Sequence, residues 1–530
     1  MSFALGRRSL LAATGALALP ATGRAASATT LRFIPQIDLA FLDPHWTTAN
    51  VTRGHGYMVF DTLYGQDGRF SAAPQMVAGH VVENDGLLWT LTLRNGLLWH
   101  DGTPVLARDC VASIRRWAAR DAFGSALIAA TNELSAPDDR TIRFRLSRPF
   151  PLLPQALGKT TTPNPVMMPE RLASTDPFKQ ITEMVGSGPY RFVADERVPG
   201  ARNVYARFDR YVPRQGGQPD WTAGPKLAHF DRIEWTTMPD DATKVAAMQS
   251  GEQDWWENPT ADLLPLLLRQ KTIRVATTNP TGNVTMMRPN HLQPPFDKPA
   301  VLQAMLHVID QQACMQAIVG TDPAMYATPH GIFCPGTPMA SDTGLAPLQG
   351  PRNYARAREL LKQAGYAGEK VTMLIATDYA QFKAIGDVMA DSMQQAGMNV
   401  DYVATDWGTM LQRRNNRGPV SAGGWNCFFT GWEGQDHLDP SNHYAARGNG
   451  NEPAAWPGWC VSPKLEEARN AWFAAPDDAG RKAACVDLQR QAMLDLPSIP
   501  LGQFQTPTAY NTRITGVNSG FATFWNVRPS

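Results

Sequence analysis

Hydrophobic positions follow two rhythms, and the change between them falls near residue 285. Strand-like stretches dominate the earlier part. Residues 30–34 read as a short strand, followed by a loop containing Leu42-Asp43-Pro44. Over residues 87–99, Leu88, Thr90 and Thr92 alternate with Trp89, Leu91 and Leu93, and the run breaks at Asn95-Gly96. That pattern predicts a hairpin with a second short strand after the turn. Residues 107–120 carry Val111, Ile114, Trp117 and Ala118 at helical spacing, and residues 141–146 alternate again.

From about Pro289 onward, helices and strands take turns. Pro299 opens a helix whose Val301, Leu302, Met305, Leu306 and Ile309 form one apolar stripe. Proline suits that first position because a helix does not use the N–H it lacks. A helix over 354–364 ends at Gly365, a strand follows at 371–375, and a helix over 380–396 ends at Gly397. Strands at 400–405 and 425–429 enclose a short helix at 408–414. This alternation is the pattern of a parallel α/β sheet. A last helix spans 479–494, and residues 500–510 read as a strand returning to the first half.

With 530 residues, 43% hydrophobic and 18% charged, the chain has material for more than one core and is no disordered tail. A formal net charge of +1 gives no basic face of the kind nucleic-acid binders use. Residues 1–28 read as an export signal: Arg7-Arg8-Ser9-Leu10-Leu11 resembles a twin-arginine motif, residues 10–20 are apolar, and Ala26-Ser27-Ala28 fits cleavage. The general secretory route is the alternative. Removing Arg7, Arg8 and Arg24, with no acid, leaves the rest weakly acidic. No Cys flanks the cleavage site, so the expectation is a soluble periplasmic protein without a lipid anchor. The six cysteines form no C-x-x-C pair or zinc spacing. Cys110, Cys314 and Cys485 sit in helical patterns as buried thiols, while Cys334, Cys427 and Cys460 are the better disulfide candidates.

The stretch from Trp89 to Trp117 contains Leu93-Arg94-Asn95-Gly96, His100-Asp101-Gly102-Thr103-Pro104 and Asp109-Cys110-Val111-Ala112-Ser113. Together with Phe60-Asp61-Thr62-Leu63-Tyr64, Gly186-Ser187-Gly188-Pro189-Tyr190, Pro294-Pro295-Phe296-Asp297 and Asp406-Trp407-Gly408, it resembles the oligopeptide-, dipeptide- and nickel-binding extracytoplasmic proteins (family 5) that serve ABC importers. The resemblance covers nearly the whole chain after residue 28. It implies an α/β fold of the type II periplasmic-binding-protein class, with two lobes, mixed sheets and an extra subdomain. The expected division is 29–70, 185–284 and 500–530 for the first lobe, 71–184 for its extra subdomain, and 285–499 for the second lobe. His100, Asp101 and Asp109 read as turn and helix-start residues rather than as a catalytic set.

Candidate binding residues cluster after the 425–429 strand, in Gly431-Trp432-Glu433-Gly434-Gln435-Asp436. Ligands of open α/β sheets bind beyond the carboxyl ends of strands. The resemblance implies that Trp432 packs on the ligand and Asp436 receives its ammonium group. Glu433 adds a second acid, Trp407 and Trp425 complete an apolar wall, and Arg288 is the candidate for a carboxylate. Arg413, Arg414 and Arg417 read as a solvated helix end. Cys460 matches a position that is disulfide-bonded in dipeptide-binding relatives, and Cys427 is the candidate partner.

The implied role is capture of a peptide or peptide-like solute by a monomer that hands it to membrane permease subunits, without enzymatic activity, cofactor, metal or nucleic acid. A peptide, an amino-containing metabolite and a metal chelate all fit the residues. His437 and His443 flank Asp439, which keeps a nickel complex or haem among the alternatives. The other alternative is an exported enzyme, against which stand the missing Gly-x-Ser-x-Gly, His-Glu-x-x-His and phosphate-loop motifs.

Overall fold

The computed structural model describes residues 29–350, 352–452 and 455–530. The export signal read at residues 1–28 lies outside the described residues. Three larger sheets organise an α/β chain. The first has seven strands, in the order Tyr190–Phe192, Arg202–Arg207, Arg232–Thr236, Thr30–Ile34, Trp255–Trp256, Thr508–Asn511, Ile273–Ala276. Its centre is parallel: Thr30–Ile34 runs with both Arg232–Thr236 and Trp255–Trp256. Phe33 on that strand meets Trp235, Trp255 and Phe524 with ring centres 4.9–5.4 Å apart. Four large rings interlocked at tilted and edge angles give this sheet its core.

The second sheet has six strands, in the order Tyr326–Ala327, Ile499–Phe504, Asn283–Pro289, Cys427–Glu433, Lys370–Ala376, Asn399–Thr405. Lys370–Ala376 runs parallel to both Asn399–Thr405 and Cys427–Glu433, as the alternating pattern predicts. Asn283–Pro289 lies antiparallel between Cys427–Glu433 and Ile499–Phe504, which makes the sheet mixed. The helices Pro299–Met305, Gln311–Val319 and Ala380–Gln395 cover one face, with Val301, Leu302, Met305 and Ile309 all buried.

The third sheet is antiparallel, ordered Val77–Glu83, Leu88–Leu93, Thr141–Leu146, Thr131–Ser135. The hairpin predicted after Asn95-Gly96 lies on the other side of its first strand. Leu88–Leu93 pairs with Val77–Glu83 through a turn in which Asn84, Asp85 and Gly86 all take positive φ, and residues 98 and 104 make only an isolated bridge. Asn and Asp tolerate that left-handed conformation, and Asp85-Gly86 is itself a hairpin turn pair. This unit leans on the helices Pro463–Ala474 and Asp478–Asp495, where the Phe150 and Phe473 rings stack 6.2 Å apart and Phe123 lies 5.7 Å from Phe473.

The returning strand predicted over 500–510 is two strands. Ile499–Phe504 stays in the second sheet, and Thr508–Asn511 joins the first. Pro507 between them cannot donate to a ladder, so the chain changes sheets there. It also changes sheets at 277–282, and Asn283 Nδ2 donates to Thr506 Oγ1 at 2.7 Å, tying the two crossings together.

Cys427 and Cys460 are both free thiols and form no disulfide. Cys427 faces the helix-covered core with Phe429, whereas Phe428 points to the other face, where it packs with Trp459, the neighbour of Cys460. The sheet therefore stands between Cys427 and the Trp459 side. Cys110, Cys314, Cys334 and Cys485 are also buried and free.

The family-like signature proves to be scaffold. Asp109 accepts the Leu106 N–H at 2.9 Å to start the helix Ala107–Ala118, and Asp101 Oδ1 accepts from Thr103 while Gly102 turns the chain at φ +90. Asp43 and Arg116 form a fully buried ion pair at 2.8 Å, and Arg116 also donates to the carbonyls of Thr175, Asp176 and Lys179. Removing one partner of such a pair leaves a bare charge in the interior. Arg116→Met should therefore lower unfolding free energy by about 3–5 kcal/mol, measured by urea denaturation. A loss below about 1 kcal/mol would show the pair to be dispensable.

Candidate functional site

Between the first and second sheets lies a cavity of about 620 Å³. One wall comes from the loop after Thr30–Ile34 and from the start of the helix Asn50–Val59, through Ile37, Phe41, Thr48 and Thr52. The opposite wall comes from the carboxyl end of Cys427–Glu433 and from the helix Trp407–Arg413 with the segment that follows. That volume suits a small organic guest.

Cys427–Glu433 delivers its last residues to the cavity and then turns. Trp432 and Glu433 line the space, and a single 3₁₀ turn, Gly434–His437, presents Asp436 to it. Gly434 is required there: a Cβ would collide with the Thr281 carbonyl oxygen and with Cys334 Sγ. Its N–H donates to the Gly282 carbonyl at 2.8 Å, which anchors the turn to the chain crossing. The Trp432 ring lies 5.2 Å from Trp456 and 5.5 Å from His437.

Glu433 receives an ion pair from the other side of the cleft. Arg53, on the helix Asn50–Val59, reaches Glu433 Oε1 at 2.6 Å, and both side chains are almost wholly buried. The guanidinium also sits 4.1 Å from the Phe521 ring, and Glu433 Oε2 has no protein partner. Two more acids lie near Glu433, Asp436 lining the cavity and Glu257 outside its lining. Burial pushes the Asp436 carboxyl up to about 7, with Arg53 opposing and Glu433 adding to the rise. Burial likewise pushes Glu257 up to about 7, opposed by the Gln36 N–H it accepts at 2.8 Å and reinforced by Glu433. Lys159, whose own ammonium is disfavoured by burial and held by Asp121, draws Asp436 back toward the carboxylate.

Arg414 is the cation of the opposite wall. It lines the cavity with its guanidinium 5.5 Å from both the Trp456 and Phe428 rings. Burial lowers its pKa to about 10, and its Nε has no partner. Among the described residues no acid pairs with it. The expectation of a solvated helix end is corrected here. Trp407, Leu411 and Arg414 stand at i, i+4 and i+7, one face of a helix, and all three line the cavity. That spacing was the signal for it. Trp407 itself stacks 5.2 Å from Phe382, which stacks 5.4 Å from Tyr379.

Two of the anticipated residues lie behind the wall rather than on it. Trp425 is fully buried against Leu374, Met410 and Trp459, and its Nε1–H donates to the Arg414 carbonyl at 3.0 Å. Its position just before Cys427–Glu433 turns it into the layer beneath. Arg288 is fully buried too, and its Nε and Nη1 donate to the carbonyls of Pro457, Ala445 and Pro497 and to Ser498 Oγ, at 2.6–3.2 Å. It does not line the cavity. Instead its guanidinium lies 4.5 Å from the Trp456 ring. His437 and His443 stack with ring centres 3.9 Å apart, and burial lowers the pKa of both. Among the described residues no group of three or more His, Cys, Asp or Glu is arranged to hold a metal ion. Sequence reasoning missed Arg53, Arg414, Trp456, Phe41 and the Tyr379–Phe382 pair.

Comparison with known proteins agrees with this architecture. Residues 71–453 match the middle region of the bacterial extracellular solute-binding proteins, family 5. A probable peptide ABC transporter periplasmic-binding protein of Sinorhizobium fredii is 35% identical over 525 residues, 98% of this chain and 97% of that one. The glutathione-binding protein of Pectobacterium atrosepticum is 26% identical, covering 90% and 88% of the two chains. Among solved structures, a periplasmic binding protein of Helicobacter pylori in complex with the peptide STSA superposes with a TM-score of 0.76 at 20% identity, over 95% of this chain and 98% of that one. An agropinic acid complex from A. tumefaciens R10 gives 0.77 at 19% identity, over 94% and 99%. Such identities speak for the fold, which is that of the two-lobed periplasmic binding proteins. No helix among the described residues is long and apolar enough to cross a membrane. From the length of the family match and the identity along the whole chain, the protein belongs to family 5 of the bacterial extracellular solute-binding proteins.

Proposed function

We propose that this protein captures a zwitterionic, peptide-like solute in the periplasm and delivers it to the membrane permease of an ABC importer. The observation that carries the reading is a single cavity lined by both an acid, Asp436, and a cation, Arg414, that has no acid partner among the described residues. A free ammonium group meets Asp436 and a free carboxylate meets Arg414, each through charge-assisted hydrogen bonds of about 1.5–3 kcal/mol. Trp432 and Trp456 supply apolar contact between the two ends. The walls come from both sides of the chain's two crossings, so a guest that touches both favours the shut form by its differential affinity. The relative from Sinorhizobium fredii supports the peptide-importer part of this assignment.

Native mass spectrometry of freshly purified protein tests the solute class. A retained guest carrying both an amine and a carboxylate supports the reading, and a neutral sugar overturns it.

Mutation separates the two charged ends. Asp436→Asn should weaken binding of the dipeptide Ala-Ala at least tenfold in calorimetry, about 1.4 kcal/mol, while leaving N-acetyl-Ala-Ala unaffected by the change. Arg414→Gln should do the same to Ala-Ala and abolish its advantage over the C-terminal amide. Equal dissociation constants for wild type and variants would remove these assignments.

The sign of the pH effect follows from Asp436. In the empty cleft its carboxyl is held up to about 7, so below that pH it is protonated and presents no charge to an ammonium group. Affinity for Ala-Ala should therefore fall as pH drops from 8 to 5.5, by at most tenfold per unit. Asp436→Asn should flatten this profile. A flat wild-type profile would show that Asp436 does not receive the amine.

A further inference from the structure

The charged ends of the cavity leave one stretch of wall unexplained. Ile37 and Phe41, on the loop after Thr30–Ile34, are 46% and 40% exposed and line the cavity. From the other side the same cavity is lined by Tyr379, Phe382, Trp407 and Leu411. Single exposed apolar residues are ordinary, but a patch contributed by both walls of one cleft marks a binding surface. The polar side chains on this stretch are Gln36, Asp38 and Gln381.

The aromatic wall is rigid. Trp407 opens its helix, and its backbone N–H is held by both Asp378 carboxylate oxygens at 2.9 and 3.1 Å. Asp406 caps the same helix by accepting from the Thr409 N–H at 2.9 Å. The Phe382 ring backs Trp407 in a near-parallel stack at an interplanar angle of 23°. A ring fixed in this way loses little freedom when a guest packs on it.

Its position relative to the charges has a consequence for the guest. Trp407 and Leu411 share a helix face with Arg414, so this part of the apolar wall adjoins the group proposed to take the carboxylate. We propose that the solute carries a large apolar, preferably aromatic, side chain on the residue bearing its free carboxylate, seated between the Trp407–Phe382 stack and Phe41. This rests on the zwitterion reading of the same cavity and narrows it.

A calorimetric panel of Ala-Ala, Ala-Asp, Ala-Lys, Ala-Phe and Phe-Ala tests it on the wild-type protein. Ala-Phe should bind at least tenfold tighter than Ala-Ala and at least threefold tighter than Phe-Ala. Phe41→Ala, a change at an exposed position, and Trp407→Ala should each compress the Ala-Phe to Ala-Ala ratio at least threefold. Equal affinities across the panel, or tightest binding of Ala-Lys through Asp38, would overturn the side-chain assignment. Either result leaves the zwitterion reading standing as long as Asp436→Asn still weakens Ala-Ala. Failure of all five dipeptides to bind would overturn both.

Discussion

The contact between Arg53 and Glu433 is the constraint around which the cleft is arranged. Glu433 ends a central strand of the second sheet, so its carboxylate lies at the floor of the cavity with little water. Left alone there it would cost several kcal/mol. Arg53 arrives from the helix beside the first sheet and matches that charge, joining the two walls where a guest would sit. Even with Glu433 matched, burial, with the Glu433 charge adding to it, holds the Asp436 carboxyl up to about 7. On the proposed reading, an ammonium group beside Asp436 favours its charged form.

The opposite wall shows how buried residues can serve a ligand without touching it. Arg288 gives its donors to carbonyls and a hydroxyl and stands against the Trp456 ring. Trp425 holds the Arg414 carbonyl from below. Trp456 in turn carries the Arg414 guanidinium. An arginine on an aromatic face, with no acid paired to it among the described residues, keeps its charge available to an anionic group. Had an aspartate stood there, the same guanidinium would have been neutralised before any guest arrived.

The second sheet was the more legible half, because its helices and strands follow periods that bury one face each. The helix predicted over 380–396 is Ala380–Gln395, and the strand over 371–375 is Lys370–Ala376. The hairpin of the third sheet was misplaced because Asn95-Gly96 was read as its turn, whereas the Asp85-Gly86 pair on the other side of the strand makes it. At the site, Trp432, Glu433 and Asp436 were readable because one strand and one turn carry them in sequence. Arg53 lies 380 residues from Glu433, and no local pattern announces so distant a partner. Arg288 and Trp425 misled for a related reason. An arginine entering a strand and a tryptophan beside a site look the same in sequence whether they face the cavity or support it from behind.

Opening and closing depend on how the contacts across the cleft are distributed. The chain passes between the first and second sheets at 277–282 and 505–507, and Asn283 with Thr506 binds those passages side by side. Phe150 and Phe473 add an aromatic contact in which neither ring lines the cavity, so it is indifferent to the guest. At the cleft itself the direct bridges are polar: Arg53 with Glu433, and Asn442 Nδ2 with Thr161 Oγ1 at 3.2 Å. Polar groups separated on opening return to water, which offsets most of what they gained on closing. Apolar area buried against a guest has no such compensation. The guest's own contacts add to the apolar core that residues 63–167 already share with residues 332–492, and so favour the shut form.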